Sequence, residues 1–277
     1  FDFSNPRQGY PGGYVLQDRI NKVNFGLSYY AEQRKYVYWD ETYGYLRESV
    51  QATFPDDQVG MYASSDFSKI IITTSSDKSP GSAYFYDVQE GGIVQVAEYA
   101  PWLKDYELGD MIPFDFTSRD GLDLTGYITL PPDYRKGQKI PFIIHPHGGP
   151  NARDRFGYNP EVQIYATRGY GVIQVNYRGS VGFGLEKMKL ANKQWSLKMH
   201  DDLLDALEWA NNKGFVDMNK VCISGASYGG YSAMVGITKN ADIFKCAINY
   251  VGVVDLYTLY DDKQWMFADM GRPQQHI

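Results

Sequence analysis

The residues with the clearest chemical promise are Gly225-Ala226-Ser227-Tyr228-Gly229, inside the run VCISGASYGGYSAM. Short apolar β-formers precede the serine and small, then helical, residues follow it. Ser227 is therefore expected at a sharp strand-to-helix turn, the setting that exposes a nucleophile. A serine hydroxyl reacts poorly until a base takes its proton. The glycines have a steric task, because a Cβ at Gly225 or Gly229 would collide with the adjoining strand and helix. The helix that follows aims the backbone N–H of Tyr228 at the place where an attacked carbonyl gathers negative charge.

A second group, His145-Pro146-His147-Gly148-Gly149-Pro150, ends the apolar run IPFII. A backbone N–H of the Gly148-Gly149 pair can approach a carbonyl oxygen because no side chain intervenes. Preorganised donors of this kind supply several kcal/mol of transition-state stabilisation. Read as a metal pair, His145 and His147 lack a carboxylate or cysteine at ligand spacing, so no metal site is expected. Arg178, in NYRGS, is expected to brace its loop rather than bind substrate. His200-Asp201-Asp202, on a helix, are expected to be solvated capping charges. Cys222 and Cys246 lie in apolar runs and read as buried small hydrophobes, with no disulfide framework indicated.

The elements that must position these groups fall into two parts. Residues 1 to about 110 read as β throughout: VNFGLSYY, KYVYWD, YLRESVQATF, SKIIITTSS, SAYFYDVQ and IVQVAEYA are short β-branched and aromatic runs between turn-forming clusters. Such spacing suits the blades of a β-propeller, or a small β-sandwich. From about residue 111 strands alternate with helices. DLTGYITL, IPFII, YGVIQVN, KVCISG and KCAINYVG read as strands; residues 197–213, ended by Gly214, and Tyr228 to about Lys239 read as helices. That alternation implies a largely parallel sheet with helices on both faces, an α/β class.

HGGP, NYRGSVGFG and GASYGGYSAM, in this order, resemble the catalytic domain of the prolyl oligopeptidase family, nearest its acylaminoacyl-peptidase-like and dipeptidyl-peptidase-like branches. SRDGLDLTGYITLPPDY resembles the entry into that domain. The resemblance implies an α/β-hydrolase domain over residues 111–277 behind the last blades of a β-propeller over 1–110. It also implies a serine peptidase that acts on short peptides through an acyl-enzyme and needs no metal or organic cofactor. Carried over, Ser227 is the nucleophile, Tyr228 and Gly149 are the oxyanion donors, and His147 stands where some members place a tyrosine. Val253, Leu256 and Tyr260 become candidates for the pocket holding the side chain before the cleaved bond, with core packing as the alternative.

In this fold the acid and then the histidine follow the nucleophile along the chain. Fifty residues follow Ser227, with one helix, one strand and an aromatic segment among them. His276, Asp255, Asp261, Asp262 and Asp269 all come too early for the family's order. The chain is thus expected to be an internal piece of a longer peptidase, inactive by itself, with its acid and base beyond it. An esterase on the same fold, or a non-catalytic binding protein that kept the elbow, are the competing classes. A formal net charge of −6 disfavours nucleic acid as a partner, no apolar run is long enough to span a membrane, homo-oligomerisation stays open, and nothing marks a compartment.

Overall fold

A computed structural model of the chain describes residues 13–18 and 22–262. Strands β1 (Tyr14–Asp18), β2 (Val23–Tyr30) and β3 (Arg34–Tyr38) form a three-stranded antiparallel sheet. After helix α1 (Glu41–Thr53), strands β4 (Gln58–Ala63), β5 (Lys69–Ser75), β6 (Ser82–Asp87) and β7 (Gly92–Glu98) make a four-stranded antiparallel meander. Period-2 alternation puts Ile70 and Ile72 of β5 on one buried face, where they meet Val59 and Val50.

Helix α1 overturns the expected strand at YLRESVQATF. The Asp40 carboxylate accepts the Tyr43 N–H at 2.8 Å, and Glu41 occupies the first turn, where the helix dipole favours negative charge. Tyr43, Arg47 and Val50 are the buried residues, an i, i+4, i+7 stripe. Aromatic and β-branched content hid that stripe.

The second part is a six-stranded sheet. It comprises β8 (Asp110–Thr117), β9 (Asp123–Leu130), β10 (Ile140–Ile144), β11 (Gly171–Asn176), β12 (Val216–Ala226) and β13 (Phe244–Tyr250), in the order β13-β12-β10-β11-β9-β8. The β11, β10, β12 and β13 strands are parallel, whereas β9 runs antiparallel to both β11 and β8. Helices α2 (Pro160–Ala166), α3 (Leu185–Lys189), α4 (Lys198–Asn212), α5 (Tyr228–Lys239) and α6 (Leu256–Asp262) connect or follow the strands. The α4 helix stops before Gly214, which is at φ 85°, and α5 covers the span read from the sequence. All six residues of β11 are buried, as a central strand requires. One core joins this sheet to α4 and α5 through Phe142, Ile144, Ile173, Leu203, Leu207 and Ala233, among others.

The cysteines correct a second expectation: Cys222 and Cys246 form a disulfide. Neither is fully buried, and Cys246 is exposed. Parallel pairing of β12 with β13 sets the two residues in direct register with Cα atoms 4.8 Å apart, within bridging range. A bulge between Val221 and Cys222 fixes that register, and no spacing rule in the sequence reveals it.

Candidate active site

Ser227 sits at the junction of β12 and α5 with φ 55° and ψ −119°, its side chain exposed. A non-glycine residue in this region costs on the order of 1–3 kcal/mol and persists only where neighbours enforce it. Here the Ser227 N–H donates to Tyr250 O on β13, and Ser227 O accepts the Tyr231 N–H, both at 3.0 Å. A Cβ on Gly225 would lie 2.6 Å from the carbonyl carbon of Gly229, and one on Gly229 would overlap Pro146 O. Both glycines are therefore obligatory. Tyr228 is the first residue of α5, so its N–H belongs to the helix-start donors that have no partner within the helix.

The HPHGGP segment packs on this elbow. A Cβ on Gly148 would lie 3.2 Å from Ala226 O and 3.5 Å from Ser227 Cβ. Gly149 adopts φ 124°, a conformation open to glycine. The segment is held from behind. The His147 Nδ1–H donates to Gly148 O at 2.7 Å, and Nε2 lies 2.9 Å from Ser180 Oγ. The ring stacks on Tyr177 with centroids 4.4 Å apart, and the Tyr177 hydroxyl donates to His147 O at 2.8 Å. Burial pulls the His147 pKa down to about 4, so the imidazole is neutral at neutral pH. It is spent on bracing the turn.

Asp154 was not singled out by the sequence, although its setting between Arg153 and Arg155 was a signal. It takes the Gln174 Nε2–H at 2.9 Å on Oδ1, while Oδ2 is buried without a partner. Its backbone N–H donates to Asn176 Oδ1 at 2.8 Å. The polar Gln174 and Asn176 of the buried strand β11 are thus committed to the segment that follows Gly149. Burial pushes the Asp154 carboxyl up to about 7, against the Gln174 hydrogen bond and the charge of Arg155.

Arg178 braces its loop, as expected. Its N–H, Nε and Nη2 donate to Asp202 at 2.9, 2.9 and 2.7 Å, and Nη1 and Nη2 reach Asp120 at 2.9 and 2.8 Å. This overturns the solvated reading of His200-Asp201-Asp202. Asp202 is fully buried and His200 nearly so, the latter bonded through Nε2 to Asn240 Oδ1 at 2.8 Å. Half-exposed Asp201 pairs with Arg119 at 3.2 Å. Burial raises the Asp202 pKa while Arg178 opposes the rise, and Arg178, Ser118 and Lys198 hold Asp120 well below the usual carboxylate range.

The structure thus brings together Ser227, Tyr228 and the Gly148-Gly149 turn. Val253, Leu256 and Tyr260 follow β13, whose Tyr250 carbonyl anchors Ser227. Val253 and Leu256 are half-buried, and Leu256 packs against the main core. Tyr260 belongs to α6, and its side chain lies outside the described residues. Among the described residues Ser227 Oγ makes no hydrogen bond. Asp255 instead caps α6, accepting from Tyr257 N and Thr258 N at 2.9 and 3.1 Å; Asp269 and His276 fall outside the described residues. Among those described, no cluster of three His, Cys, Asp or Glu is arranged to hold a metal, and no helix is long and apolar enough to cross a membrane.

Known proteins resemble this chain in sequence and in fold. The prolyl oligopeptidase family (Peptidase_S9) matches residues 156–276. Dipeptidyl aminopeptidase BIII of Pseudoxanthomonas mexicana is 37% identical over 255 residues, covering 90% of this chain and 37% of that protein. Dipeptidyl peptidase family member 6 of Caenorhabditis elegans is 36% identical over 214 residues, covering 70% of this chain and 29% of that protein. The chain therefore spans about a third of the length of these curated relatives. The acylaminoacyl peptidase of Pyrococcus horikoshii superposes with a TM-score of 0.64 at 24% identity, over 87% of this chain and 36% of its own. That likeness shows the fold, an α/β-hydrolase sheet with its helices. With the elbow, the glycine turn and these relatives in agreement, the chain belongs to the prolyl oligopeptidase family.

Proposed function

We propose that this chain carries the nucleophile half of a serine peptidase that cleaves short peptides through an acyl-enzyme on Ser227. The observation that carries the reading is the exposed, positive-φ Ser227, enforced between β12 and α5 and faced by a glycine turn. Attack by Oγ on a peptide carbonyl would place the oxyanion against the N–H groups of Tyr228 and Gly149. Loss of one such donor typically costs about 3–4 kcal/mol in the transition state. The general base and its acid partner come from outside the described residues, in the family's order of serine, acid, histidine. Leu256 and Tyr260, with Val253, would line the pocket for the side chain before the cleaved bond. The two antiparallel sheets of residues 14–98 would be propeller blades that restrict access to short substrates. Names of the curated relatives, a dipeptidyl aminopeptidase and a dipeptidyl peptidase family member, support a peptide over a simple ester.

A fluorophosphonate probe tests the central claim on the full-length protein. It should label Ser227, and Ser227→Ala should fold, remain unlabelled and lose peptide hydrolysis by several orders of magnitude. Undiminished labelling of the alanine variant would remove Ser227 as nucleophile.

A further inference from the structure

A cavity of about 850 Å³ lies between the three-stranded sheet with α1 and the edge of the meander, away from the Ser227 elbow. Among the described residues, two arginines border it and no aspartate or glutamate does. Arg47 is only 8% exposed, and its Nη1 is buried without a hydrogen-bond partner. Its Nη2 donates to neutral Gln51 at 3.1 Å, and its guanidinium lies 4.4 Å from the Tyr36 ring centroid. Arg34 flanks the same ring at 5.4 Å, donates to Ser28 Oγ at 3.2 Å and has a buried Nε without a partner. Both arginines also border a neighbouring cavity that holds Glu48, Asp56 and Asp57. Neither forms an ion pair with any described carboxylate.

Withdrawing a guanidinium from water is costly when no carboxylate answers it, and a ring face offsets part of that cost. Two such cations flanking one ring repel each other as well. Aromatic rings make up much of the remaining wall, beside aliphatic and polar residues of β1, β4 and the turn after β4: Phe25, Tyr43 and Phe67 touch one another there, at centroid distances of 4.2 to 6.1 Å, and exposed Tyr62 stands on the border. The volume suits a small organic ligand. A planar guanidinium matches a carboxylate in two-point contact, and aromatic walls favour a flat apolar body.

We infer that this cavity binds an organic anion in which a carboxylate is joined to an aromatic body, its charge held by Arg34 and Arg47. A peptide's C-terminal end and a free aromatic acid share that chemistry. The site is independent of Ser227.

Calorimetric titration of the purified protein with N-acetyl-L-phenylalanine, N-acetyl-L-phenylalanine amide and 3-phenylpropionate tests this at low salt. Both acids should bind, and the uncharged amide should bind at least tenfold more weakly. Arg34→Gln and Arg47→Met should each weaken the acids about tenfold and leave the amide alone, while Ser227→Ala changes nothing. Should Arg47→Met fail to fold, half-exposed Arg34→Gln decides. A several-fold preference for N-acetyl-L-phenylalanine over 3-phenylpropionate would assign the cavity to a peptide end, and equal affinities to a free acid. Equal binding of acid and amide, undiminished binding by Arg34→Gln, or no binding at millimolar concentration would overturn the proposal.

Discussion

At Ser227 the chain accepts a backbone conformation that its own Cβ opposes, and Gly225, Gly229 and the Tyr250 carbonyl enforce it. That much is legible in the sequence, because a strand, Gly-x-Ser-x-Gly and a helix leave few other ways to pack. Asp154 is different. Its chemistry arises from burial beside Gln174 and Asn176, residues 20 and 22 positions further along, and burial is a property of the assembled sheet. With its carboxyl raised from 3.8 to about 7, the folded protein prefers the protonated acid over the ionised one. The stability this contributes is complete below about pH 4 and is lost as pH rises through 7. Asp154→Asn should abolish that loss. Thermal melts between pH 4 and 7.5 should show a flatter profile for the variant and a gain on the order of a few kcal/mol at neutral pH, since a tenfold change in proton affinity is worth about 1.4 kcal/mol. Parallel profiles would mean that Asp154 ionises freely.

Among the elements, α5 and α4 were readable from apolar spacing and a terminal glycine, whereas α1 was not. Its stripe of Tyr43, Arg47 and Val50 contains a buried cation, which no hydrophobic pattern counts. The cap was the better signal: Asp40→Ala should cost about 1 kcal/mol, seen as a lower urea midpoint with unchanged slope. A strand at this position would be indifferent to the change. The loop carrying Arg178 makes a stronger demand. Asp202→Ala leaves a 4% exposed guanidinium without its innermost partner and should destabilise by about 3–5 kcal/mol. Asp120→Asn, on the more exposed side of the same arginine, should cost clearly less in the same denaturation assay.

For the whole molecule, the alternation of strands and helices foretold an α/β sheet but not its mixed direction. The reversal of β9 between β8 and β11 depends on long-range pairing, to which local pattern is blind. The same blindness hid the disulfide, which closes a separation of 24 residues across β12 and β13. By chain-entropy reasoning such a loop is worth about 3 kcal/mol. Urea unfolding of the oxidised protein should therefore shift to lower midpoint with reductant, and a Cys222→Ser, Cys246→Ser double variant should ignore the reductant. Several hydrogen bonds among the described residues tie the first part of the chain to the second, including those that the Met111 N–H and the Gln163 Nε2–H donate to Asp77. Gln58 donates to Phe156 O, Arg153 to Ala31 O, and the Tyr127 hydroxyl to Glu32 O. Two of these last three end on residues 153–156, a few positions after Gly149. The two halves cannot swing apart without releasing the stretch that carries the glycine turn, so closure of the molecule and readiness of its anion-facing loop are secured by the same bolts.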